Sequence, residues 1–274
     1  MPKIALLQMS SGTDPEANGG RIREAMAQAA GQGAEILFTP EMAGLLDRNR
    51  ARAGVHIVAE EASALVQSVR DAAREHAIAL ALGLPVLRDD GRWANRSLLI
   101  DASGATAARY DKIHMFDVDL ATGESWRESS AYAPGEEVVT ADTPVGTLGL
   151  TTCYDIRFPA LWDELGRRRC DAIAVPAAFT VPTGKAHWHT LLRARAIEAT
   201  AFIIAAAQVG KHEDGRETYG HSLVVDPWGE VLLDMGGEAP GLGFCDIDLS
   251  RIAEVRRQLP SLANKREIPR SPLP

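Results

Sequence analysis

Cys153 is the residue whose position most strongly indicates chemistry. It follows a short apolar, β-compatible segment, residues 145–150, and precedes a segment with helical periodicity. A side chain at such a junction lies near helix-start N–H groups, which can stabilise developing negative charge. A free cysteine is more often a small buried apolar residue than a nucleophile. Tyr154, Asp155 and Arg157 crowd the same strand end, however, and a purely structural turn does not need them.

Two further polar residues follow predicted strands. Glu41 follows the strand predicted at residues 35–39, which stops at Pro40, and Lys112 ends a β-like run through Tyr110. Taken singly, each has an ordinary interpretation, because loop glutamates and most lysines are simply solvated. Together with Cys153 they supply a thiol, a carboxylate and an ammonium group. Amide hydrolysis requires a nucleophile, a proton carrier and a stabiliser of the tetrahedral oxyanion.

Composition limits the classes of function. A chain of 274 residues with 46% hydrophobic content can bury a large core, and we expect one domain. The formal charge of -8 argues against a nucleic-acid surface. Three scattered cysteines provide neither a disulfide framework nor a C-x-x-C motif, which suits a reducing cytosol. Residues 1–8 resemble neither a signal peptide nor a membrane span, so we expect a cytoplasmic protein.

The histidines give no metal signal in the sequence. None of the seven has a ligand spacing typical of a metal site, and His187 and His189 are two apart on a predicted helix, so they face different ways. We therefore expect neither a metal ion nor a cofactor.

The elements that must position the three polar residues alternate between strands and helices, with several hairpins between them. This mixture favours helices packed outside sheets over a closed eight-fold barrel. Residues 115–134 lack periodicity, and a loop of that length in a compact domain is usually functional or disordered. Strands are predicted at residues 4–9, 35–39, 78–84, 97–101, 145–150, 171–175, 201–209, 219–226, 230–234 and 243–247. Helices are predicted after Asp14, at 59–76, after Pro159, at 185–200 and at 249–258.

The sequence contexts of the three residues carry a family resemblance. FTPEM, YDKIH and TCYDIRFP resemble the surroundings of the Glu-Lys-Cys triad in the nitrilase (carbon-nitrogen hydrolase) superfamily, and the similarity continues through KIHMFDVD, AHW, LRARAIE, YGHS and VVDPWG. The resemblance implies a single-domain α/β fold, a four-layer α-β-β-α sandwich, over residues 1–262. It also implies a homodimer or higher homo-oligomer, to whose assembly an extended tail, residues 263–274, contributes.

The flanking residues are similar to the amidase branch that contains deaminated glutathione amidase and omega-amidase. This similarity implies a thiol-dependent amidase for a small, carboxylate-bearing 2-oxo acid amide, with deaminated glutathione as the first candidate substrate. 2-Oxoglutaramate is the nearest alternative, followed by N-carbamoyl and aliphatic amides. A non-catalytic assembly sandwich and a thiol redox protein are the rival classes. The first would lack a triad member, and the second would need another cysteine close to Cys153.

The resemblance also implies catalytic roles for individual residues. Cys153 would be the nucleophile, Glu41 the base that takes the thiol proton, and Lys112 the oxyanion partner together with a backbone N–H near Tyr154. Glu128 falls where the family has a second glutamate beside the lysine. Glu124 lies nearby in the same loop and is the other candidate for this second glutamate. The alternative for Glu128 is a loop carboxylate paired with an arginine.

Substrate contacts are predicted from position. Arg157 is a candidate carboxylate clamp, because a guanidinium binds a carboxylate through two hydrogen bonds, and its alternative is a salt bridge with Asp155 or a loop acid. Tyr154, Phe179, Thr183 and His187 are expected to wall the pocket. For His187 the alternative is a core-facing position on the helix.

Overall fold

Two six-stranded sheets form the centre of the molecule. The computed structural model describes residues 1–121, 123 and 125–269. The strands are β1 (Lys3–Gln8), β2 (Ile36–Phe38), β3 (Ala79–Leu87), β4 (Trp93–Ile100), β5 (Thr106–Asp111), β6 (Asp117–Asp119), β7 (Ser125–Arg127), β8 (Thr140–Thr143), β9 (Gly146–Leu150), β10 (Ala172–Ala174), β11 (Phe202–Ala205), β12 (Val209–Lys211), β13 (Glu217–Tyr219), β14 (Leu223–Val225), β15 (Val231–Asp234) and β16 (Gly241–Asp246). The helices are α1 (Pro15–Gly31), α2 (Arg50–Gly54), α3 (Ala64–His76), α4 (Pro159–Arg167), α5 (Val181–Ala199), α6 (Ser250–Gln258) and α7 (Ser261–Asn264).

Both sheets are mixed. Sheet one has the order β16-β1-β2-β3-β4-β5, and sheet two has the order β15-β14-β11-β10-β9-β8. In each sheet three central strands run parallel, β1-β2-β3 and β11-β10-β9, while the outer strands pair antiparallel. Parallel neighbours end at the same edge of a sheet, and this edge is where polar residues that follow strands can meet.

The core has three apolar layers. Residues such as Leu6, Phe38, Leu148 and Ile204 pack between the facing sheets. Sheet one is covered on its other face by α1 and α3, and sheet two by α4 and α5. The expected four-layer α-β-β-α sandwich is therefore confirmed. In the part of the chain that the structure describes, no helix combines the length and apolar character needed to cross a membrane.

Local capping explains where several elements begin. Asp14 caps α1 by accepting a hydrogen bond from the N–H of Glu16, as expected from the sequence. The helix predicted at 59–76 is instead a 3-10 turn at Glu60–Ala62 followed by α3, because Ser63 caps a new helix through the N–H of Val66. Helix α5 begins at Val181, four residues before its predicted start, with a proline in its first turn.

Two predicted segments differ from the observed ones in ways that affect the cavity described below. The long loop at 115–134 contains the β6-β7 hairpin and a 3-10 turn, Glu128–Ser130. The strand predicted at 201–209 divides into β11 and β12, because the chain leaves sheet two and buries the side chain of Gln208.

At the C-terminal end, residues 261–264 form the short helix α7. The rest of the predicted tail is described only as far as residue 269.

Gly83 in β3 allows the close approach of the chain that follows β2. A Cβ atom at this position would lie 2.3 Å from the carbonyl oxygen of Pro40 and 3.0 Å from the Cα of Glu41. The N–H of Gly83 also donates to Oγ1 of Thr39 at 3.1 Å. Pro40 and Glu41 therefore lie directly against β3, and only glycine leaves space for them.

Replacing Gly83 with alanine should destabilise the protein by about 1–3 kcal/mol, the usual cost of overpacking, because Pro40 must move away. Urea unfolding measures the change in free energy. The matched control is Gly31→Ala at the end of α1, where an added Cβ meets nothing within 4 Å. Equal stability of the two variants would show that close packing against β3 does not fix the turn at Glu41.

Candidate active site

Glu41, Lys112 and Cys153 converge on one cavity of about 870 Å³. Glu41 and Lys112 follow strands of sheet one, and Cys153 follows β9 of sheet two. All three are buried in spite of their polarity, with Cys153 8% exposed and Lys112 2% exposed. Burial of an ammonium group is unfavourable unless it is paired, so the partners of Lys112 decide how the site is held.

Lys112 lies between two carboxylates. Its Nζ donates to Oε1 of Glu41 at 3.0 Å and to Oε2 of Glu128 at 2.8 Å. Asn95 on β4 closes a ring, because its Nδ2 donates to Oε1 of Glu41 at 2.8 Å and to Oε1 of Glu128 at 3.0 Å. The ring fixes both carboxylates relative to the ammonium group. Glu128 pairs with lysine rather than with arginine, and Glu124 lies outside the described residues.

Backbone groups hold the two carboxylates from the other side. The N–H of Ala178, which follows β10, donates to Oε2 of Glu41 at 2.9 Å. The N–H of Phe116 donates to Oε2 of Glu128 at 2.7 Å. The carbonyl oxygen of Glu41 accepts from Nε2 of Gln208 at 3.0 Å. The carboxylate of Glu41 is therefore held by groups from both sheets.

Cys153 occupies an unusual backbone conformation. Its φ is +48°, in the left-handed region that a non-glycine residue rarely adopts, and its N–H donates to the carbonyl of Pro176 at 2.9 Å. It begins a 3-10 turn, Cys153–Arg157, and the helix predicted to follow starts at Pro159. The backbone hydrogen bond maintains the strained conformation at the strand end.

Asp155 joins the cysteine turn to the lysine strand. Its fully buried carboxylate accepts from the hydroxyl of Tyr110 at 2.6 Å, from the N–H of Thr152 at 2.9 Å and from the N–H of His114 at 3.0 Å. Nδ1 of His114 is a further partner at 2.8 Å. The possible salt bridge between Asp155 and Arg157 is therefore not formed, because these groups occupy the carboxylate.

The charges of the cluster shift the proton affinities of its members. Burial would raise the pKa of Glu41, but the charge of Lys112 and hydrogen bonds from Cys153, Lys112 and Asn95 hold this pKa below its ordinary value. Burial and the negative charge of Glu41 raise the pKa of Cys153 well above the ordinary thiol value, against a smaller opposing effect of Lys112. The resting pair is thus a glutamate anion and a neutral thiol. The pKa of Glu41 is lowered in spite of its burial because Lys112 lies in direct contact with its carboxylate.

Lys112 remains a cation. Burial alone would lower its pKa, but the negative charges of Glu128 and Glu41 raise this pKa well above the ordinary lysine value. A permanent ammonium group next to the thiol is suited to stabilise a developing oxyanion.

Four of the five predicted substrate contacts line the cavity, namely Tyr154, Arg157, Phe179 and Thr183. His187 does not line it. Its side chain is exposed on α5, with Nδ1 3.3 Å from Nη1 of Arg157. The guanidinium of Arg157 lies over the rings of Tyr154 and Phe179, at 5.8 and 5.3 Å from their centroids. Among the described residues, no carboxylate lies within ion-pair distance of Arg157.

Several residues of the site are not apparent from the sequence. Asn95 lies in β4, which begins at Trp93, whereas the sequence predicts this strand only from Ser97. The apolar residues Trp93 and Ala94, which precede Asn95, are the available signal that the strand begins earlier. Arg48 and Arg50 had no assigned role beyond solvent exposure, and both line the cavity. Nothing in their local sequence indicates this location, which depends on the path of the chain between β2 and α2.

Comparison with known proteins supports a single assignment. Residues 3–257 match the profile of a family described as carbon-nitrogen hydrolase. A deaminated glutathione amidase from Yersinia enterocolitica is 42% identical over 267 residues, which cover 96% of this chain and 92% of that protein. The crystal structure of the Caenorhabditis elegans NitFhit protein superimposes with a TM-score of 0.88 at 36% identity, covering 97% of this chain and 65% of that one.

A third relative bears on the cysteine. An amidase from Nesterenkonia sp. AN1 is 29% identical, with a TM-score of 0.80 and coverage of 94% of this chain and 98% of that one. One of its structures, a mutant, shows the result of Michael addition of acrylamide at its active-site cysteine.

The raised pKa of Cys153 predicts a distinctive alkylation profile. The rate with iodoacetamide should not rise through the ordinary thiol range, around pH 8.5, because the thiol stays protonated there. In Glu41→Gln the negative charge that raises the pKa is lost, so the thiolate should form at lower pH. Mass spectrometry of the peptide that contains Cys153 measures both rates. A midpoint near pH 8.5 in the unmodified protein would contradict the assigned protonation states.

Proposed function

Because this chain belongs to the carbon-nitrogen hydrolase family, and hydrolyses carbon–nitrogen bonds other than peptide bonds, we propose that it is an amidase for a small linear 2-oxo acid amide. The first candidate substrate is deaminated glutathione. The observation that carries the proposal is the buried arrangement of Glu41, Lys112 and Glu128 in the cavity that contains Cys153. The name of the Yersinia enterocolitica relative supports the choice of substrate.

In the proposed first step, sulfur of Cys153 attacks the amide carbonyl carbon while its proton passes to Glu41. Since the thiol holds its proton tightly at rest, this transfer accompanies bond formation rather than preceding it. Lys112 and a backbone N–H near Tyr154 receive the oxyanion. The C–N bond then breaks as Glu41 gives its proton to the departing nitrogen, and a thioester remains on Cys153.

The second half of the reaction uses the same groups. Glu41 takes a proton from water, which attacks the thioester carbonyl, and Lys112 again stabilises the oxyanion. The carboxylic acid leaves as the proton returns to sulfur. Glu128 and Asn95 do not exchange protons in this scheme. They hold Lys112 and Glu41 at the distances that both steps need.

The two leading substrates share an acyl group. Hydrolysis of either deaminated glutathione or 2-oxoglutaramate leaves a 2-oxoglutaryl thioester on the enzyme, and only the leaving group differs, a cysteinylglycine unit in the first case and ammonia in the second. The acyl side therefore needs one carboxylate contact for both, for which Arg157 is suited. Discrimination between the two substrates must come from residues that contact the leaving group.

The arginines at the mouth of the cavity favour the larger substrate. Arg48 and Arg50 are exposed and line the cavity, and Arg216 lies over the ring of Trp126 at 5.1 Å. Arg216 is paired with Asp214, and Arg50 donates to the carbonyl of Arg127. Ammonia offers nothing for these cations to bind. The glycine carboxylate of deaminated glutathione can bind to these cations. We therefore prefer deaminated glutathione to 2-oxoglutaramate as the substrate.

Trapping of the acyl-enzyme tests the mechanism. Acid quenching during turnover of deaminated glutathione should leave a 2-oxoglutaryl group on Cys153, detected by mass spectrometry, and Cys153→Ala should abolish turnover. Glu128→Gln should lower kcat with the fold retained, by at most the factor of about 10²–10³ that loss of an oxyanion donor costs, because Lys112 remains but loses a partner that positions it. Normal turnover by Cys153→Ala would disprove the mechanism.

A comparison of substrates tests the assignment of the leaving group. Arg48→Gln should lower kcat/KM for deaminated glutathione about fivefold, on the order of 1 kcal/mol for an exposed ion pair, and should leave 2-oxoglutaramate unaffected. Arg21→Gln on α1, outside the cavity lining, is the control. If 2-oxoglutaramate is the better substrate and insensitive to Arg48, the protein is an omega-amidase. Failure with both compounds would remove the substrate assignment but leave the acyl-enzyme test unaffected.

A further inference from the structure

Two histidines and an aspartate meet on the outer side of sheet two. His189 lies on α5, His221 precedes β14, and Asp234 ends β15. One ligand atom from each residue lies within 4.8 Å of the other two. The sequence separates these residues widely, which is why no ligand spacing was visible there.

The distances within the cluster approach those of a metal site. Nε2 of His189 lies 3.0 Å from Oδ2 of Asp234, and Nδ1 of His221 lies 2.9 Å from Oδ1 and 3.2 Å from Oδ2. In a tetrahedral zinc site with bonds of about 2.0–2.1 Å, ligand atoms are about 3.3–3.4 Å apart. Shifts of a few tenths of an ångström would bring each histidine–aspartate pair to that separation.

The surrounding structure fixes the orientation of the ligands. His221 has a φ of +55°, and its ring stacks on Tyr219 with centroids 4.4 Å apart. Its N–H donates to the carbonyl of Gly236 at 2.8 Å, and its own carbonyl accepts from Nε1 of Trp188 at 2.8 Å. The N–H of Gly236 donates to Oδ1 of Asp234 at 2.9 Å. These bonds preorganise His221 and Asp234 and maintain a strained backbone beside them.

We propose that His189, His221 and Asp234 form a binding site for a divalent transition-metal ion, with Zn²⁺ as the first candidate. Two imidazole nitrogens and one carboxylate oxygen suit zinc, copper or nickel, whereas magnesium and calcium prefer oxygen ligands. Tetrahedral coordination by these three ligands would leave a fourth position for water. The three side chains are 24–35% exposed, so an ion can enter from solvent.

Such an ion would join α5 to sheet two. Asp234 ends the edge strand β15, and His189 lies about two turns into α5. The residue next to His189, Trp188, packs on Phe179 with ring centroids 4.7 Å apart, and Phe179 lines the cavity. The ion would therefore stabilise the helix that carries one wall of the cavity, without contacting Cys153.

Zinc titration of the full chain tests the proposal. The Cys153→Ala background removes the cavity thiol as a competing ligand, and isothermal titration calorimetry should find one Zn²⁺ per chain. His189→Ala and His221→Ala should each weaken binding by at least about 10–100-fold, since loss of even an outer-shell partner costs that much. His56→Ala, an exposed histidine outside the cluster, should bind like the parent.

Thermal unfolding gives an independent readout. Zn²⁺ should raise the Tm of the parent and of His56→Ala, because it binds the folded state, and should leave the Tm of His189→Ala unchanged. If His221→Ala does not fold, His189→Ala alone tests the proposal. We expect His189→Ala to fold because the side chain of His189 is partly exposed on a helix. Two results would overturn the proposal. One is that His189→Ala binds Zn²⁺ as tightly as the parent, and the other is that the parent shows no saturable binding below about 1 mM, which corresponds to a binding free energy of only about 4 kcal/mol.

Discussion

A single buried cation organises the cavity. Lys112 has almost no contact with water, so its ammonium group needs close anionic partners, and Glu41 and Glu128 supply them. Two carboxylates and one ammonium leave one excess negative charge in a largely buried site, which is costly without hydrogen bonds. The amide of Asn95 and the N–H groups of Ala178 and Phe116 provide those bonds. The strands and loops of the site are thereby arranged around one charge.

The same charge arrangement decides where the protons reside. Against the effect of burial, the charge of the lysine keeps the neighbouring glutamate ionised, and burial together with the charge of the glutamate keeps the thiol protonated. With only the lysine beside it, the thiol would lose its proton more readily, and a thiolate reacts with oxidants and electrophiles. A site with only the glutamate would lack the cation that an oxyanion needs. Their combination keeps sulfur unreactive until a carbonyl group is positioned beside it.

The sequence was sufficient for the sandwich fold and for the convergence of Glu41, Lys112 and Cys153, because strand ends and sequence contexts are local features. It was insufficient where contacts are non-local. Asn95 was missed through an error of four residues in one strand boundary, and the arginines at the cavity mouth through the unpredictable path of a loop. The protonation of Glu41 depends on an interatomic distance, which no sequence pattern contains.

The reactive groups come from both sheets, with Glu41, Asn95 and Lys112 on one and Cys153 and Ala178 on the other. Hydrogen bonds between Ser97 and Thr152, and between Tyr110 and Asp155, cross from sheet to sheet. During synthesis, the ribosome releases Glu41 and Lys112 well before the cysteine and the N–H that holds the carboxylate. Until the two sheets have docked, Cys153 therefore lacks the burial and the glutamate that raise its pKa, and the reactive groups are not assembled.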